Sequence, residues 1–354
     1  FNVTFASKPQ VTKPLMIGPE EKTRTDTVSY SYTVADRLSQ ITYPGNVQVR
    51  YMRNAIGQIA KLDWQPAGGV WTPLISNVAY LPFGPLTSLT FANGQTLTKS
   101  YDADYAIDAV SGPGLAWNVA TDVMGNLVAA DPADANPPKR SYGYDALYRL
   151  DEVKDANAAL IEGYTYGKTG DRTSKTSGGS TQPYTYAAGT HHLANAGAAR
   201  SYDANGNTLT GIAPDLSLIY DDRNRLARAQ RPGATEPGSP LPYNTTAYTY
   251  NGKSERVRKA WVEPITNCPG TCPIVRTNNQ AFVYDESGRL LAEATVRNTD
   301  AKQPLPQLYL YLDDLPVAFV SGTTVYPIQT DHLGTPRAAT TVAGIVVWRW
   351  DPYA

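Results

Sequence analysis

The chain has little of what builds an ordinary mixed core. Its 354 residues include 6 Phe and 3 Met, against 24 Tyr. Tyr is thus used four times as often as Phe, which calls for sites with an apolar body and a wet tip. Long apolar runs are missing. The longest, residues 344–348 and 316–320, have strand length and fall far short of the roughly 18 residues of a spanning helix. Neither sign of charge forms a block. With 31 Lys and Arg, 32 Asp and Glu and a formal net charge of −1, an electrostatic nucleic-acid surface and a basic membrane face are both disfavoured. There is no Gly-x-Ser-x-Gly, no His-Glu-x-x-His and no phosphate-cradling glycine loop. Histidine numbers 3 and cysteine 2. Cys268 and Cys272 stand in Cys-Pro-Gly-Thr-Cys, a spacing too short for most structural zinc sites, with no second Cys or His pair nearby. The pair fits a local disulfide pinning a loop in an oxidising compartment, or two free thiols. No metal and no cofactor is expected.

What is present is turns and a repeat. Gly (28) and Pro (27) break the chain into short segments, which suits an all-β architecture. A single closed core stops growing near about 250–300 residues, so this length means two domains or a repeat array, which has no such bound. Self-similarity decides for the array. The clearest unit is Tyr142-Gly-Tyr144-Asp145-Ala-Leu-Tyr-Arg149-Leu150. Tyr220-Asp221-Asp-Arg-Asn-Arg225-Leu226 and Tyr284-Asp285-Glu-Ser-Gly288-Arg289-Leu290 repeat it. Partial copies lie at Tyr30 to Leu38, Asp122 to Leu127, Tyr164 to Arg172, Tyr202 to Leu209 and Tyr248 to Gly252.

Each part of the unit has a physical task. Tyr-x-Tyr puts two rings on one face of a strand, since side chains alternate with period two. Asp ends the strand and accepts hydrogen bonds from backbone N–H groups just ahead, which starts a turn. Gly or Asn supplies the positive φ of the turn. Arg-Leu opens the return strand, with Arg placed to pair with Asp and Leu directed to the covered face. Each unit therefore reads as strand, tight turn, strand. Pro-rich stretches at 131–139, 231–242, 263–273 and 301–306 read as surface loops between hairpins. Helix is expected only as short turns.

These Tyr-Asp-x-x-Gly-Arg-Leu units resemble YD repeats. The last segment, Thr330-Asp331-His332-Leu333-Gly334-Thr335-Pro336-Arg337 followed by Gly344 to Trp348-Arg349 and Asp351-Pro352, resembles the RHS-associated core that closes such arrays. The resemblance divides the chain into lead-in strands at 1–27, a YD-repeat hairpin array at 28–320 and a truncated core signature at 321–354. It implies an all-β fold in which antiparallel hairpins join edge to edge into a spiralling ribbon, a β-cage of which this chain would be a partial shell. In bacteria such shells commonly enclose a toxic C-terminal domain, as in secretion effectors and the cage component of insecticidal toxin complexes. Animal teneurins use a similar shell for adhesion. The resemblance therefore implies a non-catalytic wall, secreted, at the cell surface or delivered by a secretion system. Its partners would be an enclosed cargo domain of the same polypeptide, the secretion machinery and an immunity protein. The alternative is a surface adhesion or glycan-recognition module on the same scaffold. The family's self-cleaving aspartate site is expected beyond the residues given, with more hairpins upstream of Phe1.

Three sharper readings compete with bland ones. Asp331 and His332 suggest a catalytic pair. Neighbours on a strand face opposite ways, so Asp331 is read as a turn residue and His332 as a packing one. His191-His192 lacks the companions of a metal site. Asp203-Ala-Asn205-Gly206-Asn207 looks like the start of a calcium loop but lacks its closing glutamate and reads as a turn.

Overall fold

In this computed structural model the described residues are 3–5, 10–11, 15–17, 20–22 and 25–350, apart from 133–138, 233–243, 265–274 and 298–304. They form an all-β chain of consecutive antiparallel strands, with one 3-10 turn at Pro44–Asn46. Cys268 and Cys272 lie outside the described residues, as do most of the Pro-rich stretches and Asp351-Pro352. No helix among the described residues is long and apolar enough to cross a membrane.

The chain divides into two compact units, one of Phe1–Lys8, Thr27–Gly163 and Gln307–Ala354, the other of Pro9–Asp26 and Tyr164–Pro306. In the first, each strand from Ser29–Tyr32 to Leu150–Lys154 pairs with the next in the chain. The strands Gln307–Leu312, Leu315–Ser321, Thr324–Thr330, Pro336–Thr340 and Val346–Arg349 form a second run of the same kind. In the second unit, six strands from Ser217–Tyr220 to Leu290–Arg297 continue the pattern. Before them, Thr185–Tyr186 with Leu193–Asn195 and Ser201–Tyr202 with Thr208–Thr210 form separate two-stranded hairpins. Pairing only sequence neighbours keeps loop closure cheap. It also supplies each strand with its ladder without a crossover.

The core of the first unit lies between its early hairpins and its last ones. Leu89, Leu97, Val110 and Leu115 are buried, and so are Leu310, Val320, Ile328 and Ala339 from the C-terminal strands. Two hydrogen bonds tie the ends of the unit together. Tyr51 Oη donates to the Tyr311 carbonyl at 3.3 Å, and Arg349 Nη2 donates to the Gly114 carbonyl at 2.8 Å. The approach at Gly114 needs glycine, because its φ is +70° and a side chain there would fall on Val346.

Half-buried tyrosines border the mostly aliphatic core, and burial raises several of their phenols above the usual range. Tyr80 is pushed up to about 12. Tyr101, Tyr144, Tyr250 and Tyr284 shift the same way, also chiefly through burial. A phenol whose folded value is raised stabilises the fold fully below its ordinary value of 10.0. That contribution is lost as pH rises through the folded value. Thermal melts should therefore hold their midpoint up to about pH 10 and fall steadily toward pH 12. A midpoint flat across that interval, with phenolate absorbance rising at pH 10, would contradict this picture of the tyrosines.

Candidate functional site

The repeated site is a five-residue turn. At Asp145 the Oδ1 atom accepts from the backbone N–H of Leu147 at 2.9 Å and of Arg149 at 3.0 Å. The Asp145 N–H donates to the Arg149 carbonyl, and the Tyr148 N–H to the Asp145 carbonyl. The second carboxylate oxygen, Oδ2, takes Arg149 Nε at 2.7 Å. The same geometry, with Oδ1 accepting from positions two and four residues on, recurs at Asn54, Asp102, Asp122, Asp155, Asp203, Asp221, Asn251, Asp285 and Asp331. Oδ2 holds Arg225 at Asp221 and Arg289 at Asp285. At Asp122 and Asp203 it holds the amides of Asn126 and Asn207 instead. The charge-assisted bonds keep the Asp145, Asp122 and Asp203 carboxyls below their usual range, and the Arg225 guanidinium draws Asp221 down to about 2.

The fourth turn residue is left-handed. Gly288 (φ +86°) and Gly334 (φ +79°) suit that position. Tyr148 (φ +58°), Tyr105 and Ala158 also adopt it, so the expectation of Gly or Asn there is too narrow. The network made by the Asp side chain outweighs a left-handed penalty of about 1–2 kcal/mol. In the copy at Tyr30 to Leu38 the turn opens on Thr33, whose Oγ1 accepts from the Arg37 N–H. Asp36 takes the left-handed place, with φ +54°.

At six turns the tyrosine just before the turn reaches back to the previous hairpin. Tyr144 Oη donates to the Leu127 carbonyl at 2.8 Å, Tyr101 to Leu86, and Tyr80 to Ile59. In the second unit Tyr250 donates to Leu226, Tyr202 to Leu193, and Tyr284 to the Arg256 carbonyl. Each acceptor begins the return strand of the preceding turn. Tyr250 also presents its ring to Arg225, whose guanidinium carbon lies 4.8 Å from the ring centre. The Tyr-x-Tyr pattern predicts shared faces but not this backward link. The signal was there as the fixed place of Tyr immediately before Asp. Tyr142 lies two residues earlier, half-buried and opposite Val153.

The core signature is a modified copy of the turn. Asp331 is fully buried. Its Oδ1 accepts from the N–H of Leu333 and Thr335, and Gly334 N–H donates to its carbonyl. The residue four past Asp331 is Thr335, which offers no cation. Arg337, two residues further, supplies it, with Nε 2.8 Å from Asp331 Oδ2. The Arg337 guanidinium lies between two indoles, 5.1 Å from the Trp117 ring centre and 4.5 Å from that of Trp350. Pro336 pairs with Thr330, Leu333 is exposed, and Trp348, opposite Ala339, is about half exposed. The side chain of Gln329 is fully buried, and a methyl on Gly112 would fall on its Oε1. Burial lowers both the Lys99 ammonium and the His332 imidazole, while Asp331 opposes the shift in each. Trp117, Lys99 and Trp350 carry no motif, and sequence reading passes over them; Gln329 lies just before Thr330 in the same string, Tyr326-Pro-Ile-Gln-Thr330.

This arrangement suits clamping. Both carboxylate oxygens of Asp331 are engaged by the turn and by Arg337. His332 Nδ1 is buried and has no hydrogen-bond partner among the described residues, so it does not join Asp331 in a dyad. His191 Nδ1 lies 2.9 Å from Asp171, and His192 stacks on Tyr202 at 4.7 Å. Asp203 is occupied by its own turn.

No family model matches the chain, and no curated protein matches it. Solved structures share the fold. A chain in the Photorhabdus luminescens Tc holotoxin pore matches with TM-score 0.74 at 14% identity, over 92% of this chain and 17% of that one. A chain in the TcdB2-TccC3-TEV crystal structure matches with TM-score 0.75 at 13% identity, over 97% of this chain and 19% of its own length. TcdB2-TccC3 without its hypervariable C-terminal region gives 0.73 and 13%, over 94% and 18%. This chain thus spans under a fifth of the chains it matches. At such identities the likeness establishes the fold, a ribbon of antiparallel hairpins.

Two outcomes are expected for these contacts. Tyr144→Phe removes one hydroxyl link and should cost about 1 kcal/mol in denaturant melts. Asp331→Asn strands a buried guanidinium and should cost about 3–5 kcal/mol, whereas Asp221→Asn, at an exposed turn, should cost far less. Equal effects for the two Asp variants would remove the distinction drawn for the core signature. Acid should act through the turns as well. Carboxyls with lowered folded values stabilise the fold above their ordinary value of 3.8 and lose that contribution as pH falls toward about 2. Melting midpoints should therefore drop between about pH 4 and pH 2.

Proposed function

We propose that this chain is a structural, non-catalytic wall of an RHS-repeat shell that encloses a cargo domain of the same polypeptide, a toxin or effector, for delivery. The observation that carries the reading is the hairpin fold, matched across more than nine-tenths of this chain by chains of toxin complexes. In this proposal residues 1–27 lead in, 28–320 form the repeat array, and 321–354 carry the core signature that locks it. The engagement of Asp145, Asp221, Asp285 and Asp331 in turns supports a role in holding shape. The wall would be secreted, displayed or injected with its cargo. Secretion machinery and an immunity protein would be its further partners.

The test is protease protection of the native polypeptide. A domain joined to this chain should resist digestion while the wall is folded, and should become cleavable once Asp331→Asn or acid loosens it. Digestion of that domain at the rate of its free form, with the wall intact, would defeat the enclosure reading.

A further inference from the structure

One rim of the long sheet in the first unit carries a row of exposed apolar side chains. The strands from Ser29–Tyr32 to Leu150–Lys154 pair antiparallel in chain order. Every second turn therefore emerges at the same rim. On one rim these are turns 33–37, 54–58, 81–85, 102–106, 122–126 and 145–149. Each is closed by the N–H of its first residue donating to the carbonyl of its fifth. Val34, Ile56, Phe83, Val123, Met124 and Leu147 stand exposed on them, and Tyr105 and Tyr148 are about half exposed. Each of the six turns thus presents at least one large apolar side chain. Successive tips on a rim are two strands apart, about 10 Å.

Apolar residues exposed singly need no explanation, but one in each of six successive turns does. The turn itself does not require them. In the second unit, turns 167–171, 203–207, 221–225, 251–255 and 285–289 close in the same way. Their middle residues include Lys168, Asn205, Arg223, Lys253 and Ser287, and none is large and apolar. On the opposite rim of the first unit, turns 43–47, 91–95 and 155–159 place Pro, Gly, Asn and Ala at their tips, and Val70 and Leu160 are exposed there singly. Buried together, the eight side chains of the apolar rim reach the roughly 800 Å² per partner of a standard interface.

We propose that this rim pairs with the same rim of a second copy of this chain about a two-fold axis, the two rows running in opposite directions. The spacing matches by construction, since both rows present tips two strands apart. The charges favour this direction. The six turns hold five aspartates and two arginines, a balance that disfavours an anionic lipid surface. Asp102, Asp104 and Asp122 lie in turns 102–106 and 122–126, whereas turns 54–58 and 81–85 carry no charge. Opposed rows set each of these acidic turns against an uncharged one, and set the mixed turn of Asp36 and Arg37 against that of Asp145 and Arg149. Parallel rows would set acid against acid. At the centre, Phe83 of one copy meets Tyr105 of the other, twice. The Tyr105 ring is already held in place: its Oη donates to the Pro82 carbonyl at 3.0 Å, and a side chain on Gly84 would fall on the ring. Aromatic anchors near the centre of an interface carry much of its energy. The proposal does not rest on the shell reading, since it concerns one rim of one unit.

The test is sedimentation equilibrium of the full chain, which should show a monomer–dimer equilibrium. Phe83→Ser and Val123→Ser replace exposed side chains and should leave the melting midpoint unchanged, while each weakens dimerisation at least about tenfold. Arg223→Ser, at a turn of the second unit, should leave dimerisation as it is. Direction is read by disulfide trapping in a Cys268→Ser, Cys272→Ser background. A Phe83→Cys copy mixed with a Tyr105→Cys copy should cross-link faster than either copy does with itself, because only the mixed pair falls within disulfide reach. A chain that stays monomeric at high micromolar concentration overturns the proposal, as does a dimer unaffected by both serine variants at the rim. Like-with-like cross-links as fast as the mixed one overturn it too. A monomer that binds phosphatidylcholine vesicles, and loses that binding in Phe83→Ser, overturns it by assigning the rim to a lipid surface. If a serine variant does not fold, the cross-linking rates decide alone.

Discussion

The structure depends on one short-range interaction, the acceptance of two backbone N–H groups by a single Asp or Asn oxygen at the end of a strand. A tight reversal leaves N–H groups that no ladder can reach, and unpaired backbone groups are costly. At Asp221 the Oδ1 atom satisfies the N–H groups of Arg223 and Arg225 together. One oxygen thereby fixes the length of the turn, and turn length fixes the register of the hairpin. A register irregularity falls just before the turn residue in copy after copy, between Gly143 and Tyr144, Ile219 and Tyr220, and Val283 and Tyr284. Bulges at such places increase twist and re-aim side chains. Tyr144 and Tyr284 sit at this irregularity, and their hydroxyls reach the neighbouring hairpin.

That reach explains the composition. A hairpin alone is marginal in water, so stability must come from contacts between successive ones. Phenylalanine could supply area but not the donor that meets the first carbonyl of the preceding return strand. Tyrosine supplies both, and the Tyr250 ring also lies against the turn arginine Arg225. Turn and link are thus interdependent. The Asp holds the Arg, the Arg stacks on the next Tyr, and that Tyr holds the residue after the Arg. Removing any one loosens two hairpins rather than one.

The hairpins themselves were legible in the sequence because everything that makes them lies within nine residues. Tyr144, Asp145 and Arg149 announce strand, turn and pairing by type and spacing alone. The left-handed position was legible only where glycine fills it. At Tyr148 nothing in the residue betrays its φ, since the Asp145 network imposes it. The compact units were not legible either. The first draws together residues near position 50 and near position 311, through Tyr51 and the Tyr311 carbonyl. No local pattern encodes a partner 260 residues away.

The core signature joins these two scales. Its turn is local and follows the same rule as the repeats, which is why Asp331 and Gly334 could be read as turn residues. Its cation is displaced from four residues past the aspartate to six, which in a strand of period two keeps the side chain on a common face. The displacement carries the guanidinium away from solvent. Arg149 and Arg225 are 27% and 21% exposed beside their aspartates, whereas the Asp331 carboxylate is wholly buried and Arg337 is 14% exposed. Burying an ion pair is costly unless its groups find further partners. Here the turn N–H groups complete the carboxylate, and the Trp117 and Trp350 rings cover the guanidinium on its faces, while its buried Nη1 has no hydrogen-bond partner among the described residues. Trp117 belongs to a hairpin some two hundred residues earlier in the chain. An ion pair that a repeat uses to close one turn is thereby used to fasten the last hairpins of this unit onto its first ones. The string around Asp331 and His332 carries that fastening, and its chemistry is the chemistry of a turn.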